Sequence, residues 1–262
     1  MSTTMQRDTA LTPAFPPGQS FKLIGLGGVG SIVARYGAVF LAALGEEGRL
    51  VLIDGDAFED RNASRMLFRE RGNKADVLCT ELMSLLPRSN LALASVPEYV
   101  SEDSATRLIQ EGDVVLLCVD NHATRRTVAR RVAALRDGIL ISGGNDGVGA
   151  DSSGIARRGT YGNVQVHVRC AGDDLTPPID RFHPEIATPA DRSPAELACT
   201  ALLESTPQIL FTNLAAASAI LNALLLALSG ELHYGELGFD ILAGRMRPIE
   251  LPDGCGAPPP PL

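Results

Sequence analysis

The chain has no run of basic residues longer than a pair, such as Arg125-Arg126 or Arg157-Arg158, and its formal net charge is −8. The positive stripe of a nucleic-acid binder is missing, so neither DNA nor RNA is expected as a partner. There is no Cys-x-x-Cys pair. The five cysteines, Cys79, Cys118, Cys170, Cys199 and Cys255, are odd in number and scattered, which fits free thiols in a reducing compartment rather than a disulfide framework. Among the four histidines, His167, His183 and His233 show no metal spacing and His122 reads as a surface residue; no tetrahedral zinc set is in sight, and no zinc is expected. The first 20 residues carry no apolar core of the signal-peptide kind. The apolar run from Leu214 is broken by Asn222 before it reaches the length of a bilayer span. A cytoplasmic protein without membrane contact is expected. What is there is an ordinary globular composition, 45% hydrophobic and 21% charged over 262 residues, enough for a full core.

The stretch from Phe21 to Lys74 carries the chemistry. Phe21-Lys22-Leu23-Ile24 reads as a buried strand and passes straight into Gly25-Leu26-Gly27-Gly28-Val29-Gly30, ahead of a helical pattern from Ser31 to Leu44. Gly25, Gly27, Gly28 and Gly30 let the turn close and let backbone approach a phosphate, so that the helix offers its free N–H groups to an anion. A second strand, Arg49 to Ile53, ends in Asp54, where a carboxylate can accept hydrogen bonds from ribose hydroxyls. This is the outline of a Rossmann-like nucleotide site, and an NAD-dependent oxidoreductase would satisfy it too. The residues after Asp54 favour another use. Asp56, Asn62, Arg65, Lys74 and, after a later strand, Asp120 add two cations and further carboxylates. That set suits the breaking of a triphosphate better than the holding of a dinucleotide. Asn62 and Arg65, three apart, share one side of a helical turn. Taken alone Asn62 and Arg65 read as exposed loop, and Asp56 could serve simply as a loop cap.

In this order the elements resemble the ThiF/MoeB superfamily of adenylating enzymes, which includes the ubiquitin-activating enzymes. The pattern is a Gly-x-Gly-Gly-x-Gly turn at 25–30, Asp-x-Asp at 54–56, Asn-x-x-Arg at 62–65, a downstream Lys74 and a strand-end Asp120-Asn121, with Met66 where the family usually carries glutamine. The resemblance covers roughly residues 20 to 250. It implies ATP as the nucleotide, with Asn62, Arg65 and Lys74 on the triphosphate, Asp54 and Asp56 beside it, and Mg²⁺ held by Asp120. It also implies adenylation of the C-terminal carboxylate of a small ubiquitin-like or sulfur-carrier protein ending in Gly. A conjugating or sulfur-transfer protein could then take the product. Family members that form a covalent intermediate carry their acceptor cysteine where Cys199 stands; a packed thiol is the equal alternative there. A non-catalytic partner subunit is the third reading, but such a subunit is expected to lose the cations that this chain keeps.

Beyond the site, the pattern predicts an α/β fold, a mostly parallel sheet extended by antiparallel strands with helices on both faces. Residues 1–20 read as a flexible arm, 21–251 as one domain, and 252–262 as a proline-rich tail. Helices are predicted over 75–86, 103–110 and 123–135, the last basic on its outer side, with strands over 91–96, 113–119 and 138–142. Alternation from 154 to 169 predicts antiparallel strands broken at Tyr161-Gly162-Asn163. The proline-rich segment 171–204 reads as a long loop carrying Cys199. A long helix is predicted from Pro207, capped by Thr206, to Leu228, with final strands over 232–241 and 246–251. Leu210, Leu214, Leu221, Leu224, Leu225 and Leu228 are too many for one stripe, which predicts a subunit-facing side and a homodimer.

Overall fold

The computed structural model describes residues 10–59, 62–63, 66–150, 156–181, 183–196 and 207–249. Strand β1 (Gln19–Ile24) leads through the glycine turn into α1 (Gly30–Ala43) and β2 (Gly48–Ile53). A short pairing of β3 (Ala57–Phe58) with β4 (Gly72–Asn73) precedes α2 (Lys74–Leu85) and β5 (Leu91–Val96). Then come α3 (Glu102–Leu108), β6 (Val114–Leu117), α4 (His122–Ala133) and β7 (Gly138–Asn145). The second half holds β8 (Val148–Ala150), β9 (Ala156–Arg158), β10 (Tyr161–Cys170), β11 (Asp173–Asp174) and α5 (Pro184–Ala187). It ends with α6 (Leu210–Leu228), β12 (Glu236–Asp240) and β13 (Arg245–Ile249). The main sheet runs in the order β13-β12-β10-β7-β6-β1-β2-β5, with β11 on β10. From β5 to β7 every pairing is parallel; β7–β10, β10–β12 and β12–β13 are antiparallel. The chain order reverses between β1 and β6, which opens a crevice at the carboxyl ends of those strands.

The parallel strands are apolar on both faces because both are covered. Phe21, Leu23, Leu50, Leu52, Val114, Leu116, Ile139 and Ile141 point into one core with α1, α2 and α6. The residues between them, Ile24, Val51, Ile53, Val115, Leu117 and Leu140, point into a second core with α3 and α4. That period of two explains why the strands read as continuous apolar runs. Helix α6 lies close on the sheet because its inner side is small: Ala216, Ala217, Ala219 and Ala223 are fully buried, and a Cβ on Gly143 would come within 2.6 Å of Ile220.

Several expectations need correction. Tyr161-Gly162-Asn163 is no break, because it begins β10 and pairs along β7 and β12; the hairpin lies earlier, between β8 and β9. The long helix starts at Leu210 and not at Pro207, whose carbonyl instead accepts from the Val148 N–H at 2.7 Å; Thr206 lies outside the described residues. At 19 residues α6 is long and apolar enough to cross a membrane by length and composition, yet nine of its residues are buried in this fold. Helix α4 is basic on its outer side, with Arg130 exposed and Arg126 and Arg131 half-buried, but Arg125 is buried on the inner side. Residues 14–20, placed in the arm by the sequence, belong to the folded body. Phe15 packs edge-on against Phe21 at 5.0 Å, and the Ala14 N–H reaches the Leu228 carbonyl at 3.0 Å.

Candidate functional site

The glycine turn is held from behind. Gly25 adopts φ +87°, a region that favours glycine, and a Cβ there would press on Val119 and the Cys118 backbone at 2.9–3.0 Å. Gly27 differs, because among the described residues an added Cβ would meet only Met66 Cε, at 3.8 Å. None of the described residues demands glycine at that position; its absent side chain leaves space in the cradle in front of α1. Helix α1 has no capping side chain, and its Ser31 and Ile32 N–H groups already donate to the Gly27 and Val29 carbonyls at 3.0 and 3.1 Å, so an anion here meets the amides of the glycine turn ahead of them. Met66, where the resemblance expected glutamine, is buried beside this turn.

Asp54 locks the turn to the second strand. It is 8% exposed; Oδ2 accepts from the Leu26 N–H at 2.5 Å and Oδ1 from the Asp56 N–H at 2.7 Å. Burial pushes its carboxyl above the usual carboxylate range; Lys74 pulls the other way, Asp56 adds to the rise, and the two N–H bonds oppose it. Lys74 opens α2 and is 6% exposed, with Nζ 2.8 Å from Asp56 Oδ2. Two residues that the sequence reading passed over make this geometry. Asn73 caps α2, accepting from Ala75 and Asp76, while its Nδ2 donates to the carbonyls of Asp54 at 2.9 Å and Asp56 at 3.1 Å. Tyr99 lies over Gly55 and donates its hydroxyl to Asp56 Oδ1. An Asn directly before a helical pattern is a cap signal that the sequence did offer; nothing local points to Tyr99.

Asn62 is buried in a single helical turn, its N–H on the Glu59 carbonyl and its own carbonyl accepting from Met66 at 3.0 Å. Arg65, and also Cys199, lie outside the described residues. Asp120 is exposed in the connection from β6 to α4. Beneath it sits a further missed residue, Arg125. Its guanidinium donates to Ser142 Oγ and to the Val119 carbonyl, both at 2.8 Å, and so ties the ends of β6 and β7. Burial lowers its pKa, and Cys118, Asp120, Asp191 and Glu185 raise it. The segment after β11 folds over this end, where Asp191 caps α4 by accepting from His122 and Ala123 at 2.7 and 2.9 Å. His122 is half-buried there rather than on the surface. Cys118 is inert, its thiol pushed up to about 12 by burial despite Arg125.

A parallel α/β sheet with a glycine turn, strand-end carboxylates and a buried lysine at its switch point defines a Rossmann-like nucleotide-site domain. The sequence profile of the ThiF family matches residues 19–251, and the chain belongs to that family. The mouse adenylyltransferase and sulfurtransferase MOCS3 is 35% identical over 108 residues, 40% of this chain and 22% of that protein. The adenylyltransferase and sulfurtransferase uba4 of Aspergillus niger is 32% identical over 111 residues, 41% of this chain and 22% of that protein. The chain therefore spans about a fifth of the length of these relatives. Among solved structures, E. coli MccB crystallised with ATP superposes with a TM-score of 0.59 at 16% identity, over 92% of this chain and 67% of that one. PaaA gives 0.58 at 18% identity, over 89% and 64%. At such identity the likeness is one of fold.

Proposed function

We propose that this protein adenylates the C-terminal carboxylate of a small ubiquitin-like or sulfur-carrier protein ending in glycine, at the expense of ATP. The observation that carries the reading is Lys74, a buried ammonium held against Asp56 at the carboxyl edge of the sheet. Burying the Lys74 ammonium costs solvation that the half-exposed Asp56 carboxylate returns only in part, so a functional use accounts for its presence. The clear space at Gly27 and the uncapped α1 fit a phosphate chain. The named activity of the mouse and Aspergillus relatives, and the E. coli neighbour's crystals with ATP and with MccA, agree with the reading.

In the proposed reaction a carboxylate oxygen of the carrier attacks the α-phosphorus. The bond from that phosphorus to its bridging oxygen breaks, and pyrophosphate leaves with the electron pair. No proton has to move, so positioning and charge stabilisation are what the residues supply. The turn Gly25–Gly30, at the positive end of α1, cradles phosphate. Asp54 fixes the turn and faces the ribose, while Asn62, Arg65 and Lys74 bind and orient the phosphate chain, the two cations neutralising its charge. Among the described residues no group of three or more His, Cys, Asp or Glu gathers for a metal. Mg²⁺ would rest on Asp120 together with phosphoryl oxygens and water, a ligand set this ion favours, and would neutralise the leaving pyrophosphate. The product then passes to a conjugating or sulfur-transfer protein, or Cys199 attacks its carbonyl carbon and expels AMP. A reducing cytoplasm is the proposed setting.

Pyrophosphate exchange with a Gly-ended carrier tests the reaction. It should require ATP, Mg²⁺ and carrier, and Lys74→Ala should slow it on the order of 100- to 1,000-fold. ATP at a hundred times its Kd should stabilise the protein by about 2.7 kcal/mol. Equal stabilisation by NAD would return the reading to an oxidoreductase.

A further inference from the structure

Asn213, in the first turn of α6, is fully buried, and neither polar atom of its side-chain amide has a hydrogen-bond partner. The amide faces the glycine turn: a Cβ built on Gly28 would stand 2.2 Å from its nitrogen and 3.1 Å from Gln208 Oε1. Buried amides are nearly always paired, because the bonds lost to water must be replaced. The preceding residue shows what a satisfied neighbour looks like, since the buried Thr212 hydroxyl donates to the Gly159 carbonyl at 2.7 Å. The surroundings of Asn213 are unusual in a second respect. Side chains cap α2, α3 and α4 through Asn73, Ser101 and Asn121, whereas α1 and α6, like the four-residue α5, have no side-chain cap. Two helix N-termini without a side-chain cap and an unpaired amide therefore meet around Gly28.

We infer that Asn213 is a positioning residue for the glycine turn and forms its missing hydrogen bonds only when a nucleotide phosphate is bound. Drawn toward the phosphate, the backbone around Gly28 shifts against the amide, which then bonds to the turn and holds it in the phosphate-binding form. Asn213 touches the turn and not the nucleotide. Gly28 is glycine because a side chain there would take the space of the amide. The inference rests on the nucleotide reading above and adds a partner that the glycine pattern does not contain.

The substitution Asn213→Leu keeps the branching and heavy-atom count at a somewhat larger volume and removes the polarity. Because it also removes an unpaired buried group, it should leave the ligand-free melting temperature unchanged or raised. Titration calorimetry should show ATP bound about tenfold more weakly, equivalent to 1.4 kcal/mol, with adenosine, which lacks phosphate, unaffected. Asn213→Ala, which cannot clash, should show the same split between ATP and adenosine if the leucine variant folds poorly. Wild-type ATP affinity in either folded variant, or equal weakening of ATP and adenosine, would reduce Asn213 to packing. A wild-type protein that binds no ATP would overturn this inference together with the nucleotide reading, whereas ATP binding that ignores Asn213 overturns the inference alone.

Discussion

At Gly30 a side chain has nowhere to go. Its Cβ would lie 1.8 Å from the Gly25 carbonyl oxygen and 3.1 Å from the Cys118 Cβ, and the first of these is backbone that cannot swing aside. Gly30→Ala should therefore cost about 1–3 kcal/mol through overpacking, seen as a lower urea midpoint; an unchanged midpoint would mean that the turn is looser than its contacts imply. A milder case is Asn73, whose cap and two bonds to the Asp54 and Asp56 carbonyls fall together in Asn73→Ala. Loss of such a cap costs about 1 kcal/mol. The variant should also weaken ATP binding, because Lys74 begins at that cap. ATP binding as tight as wild type in a destabilised Asn73→Ala protein would confine Asn73 to the helix. These contrasts show why only part of the site could be read from the chain. The glycines, Asp54 and Lys74 announce themselves by type and spacing. Asn73, Tyr99 and Arg125 act on partners 17 to 43 residues away, such as Asp54, Asp56 and Ser142, and only the folded sheet brings these together.

Elements were legible where period and punctuation agreed. Alternation hidden inside apolar runs still marked β1, β2, β5, β6 and β7, because both sheet faces are covered and any apolar residue fits. Reading failed where tertiary pairing overrode a local signal. Pro207 looks like a helix start, yet the carbonyl it offers to Val148 keeps the chain extended to Ile209. The segment from 175 to 196 looked like loop, yet Ile179 and Ile186 enter the second core. One histidine fastens this segment to the sheet. His183 bonds Glu236 on β12 at 3.1 Å and Glu185 beside it at 3.0 Å, and the Glu236 bond leads in raising its pKa above the usual value, against burial. The contribution of a raised histidine is complete below the unfolded value of about 6.5 and fades as pH climbs through the folded one. Neighbouring His122 is pushed down, chiefly by burial and by Arg125, and stays neutral in that window. Hydrogen exchange in 183–196 should therefore quicken as pH passes upward beyond about 6.5, after correction for intrinsic rates. His183→Gln should abolish the change. Exchange in the wild type that tracks only the intrinsic rates would detach the segment's hold from His183.

For the molecule as a whole the open question is what covers the outer side of the layer that α1 and α6 form. The inner side of α6 is filled with alanines, Ile220, Leu224 and Leu228, but Phe211 is 70% exposed, with Leu210 and Leu214 near 40%; on α1, Tyr36 is 63% and Val39 53% exposed. Of the surplus leucines in the sequence, Leu224 and Leu228 are buried, Leu221 and Leu225 half-buried, and Leu210 and Leu214 exposed. The described residues of the segment after β11 that carry Ile179, Ile186 and Asp191 pack on the other face, at the N-terminus of α4, rather than here. Exposed apolar groups gathered on one layer mark an interface, and a two-fold pairing is the commonest way for a chain to bury the same surface twice. Light scattering at micromolar concentration should then give about twice the 27.7 kDa chain mass. Phe211→Glu should halve it while leaving the monomer's fold intact, because a residue so exposed contributes little to its own core. A wild-type protein that scatters as 27.7 kDa, or a Phe211→Glu variant that still pairs, would show that this side is left for another partner or that the pairing lies elsewhere.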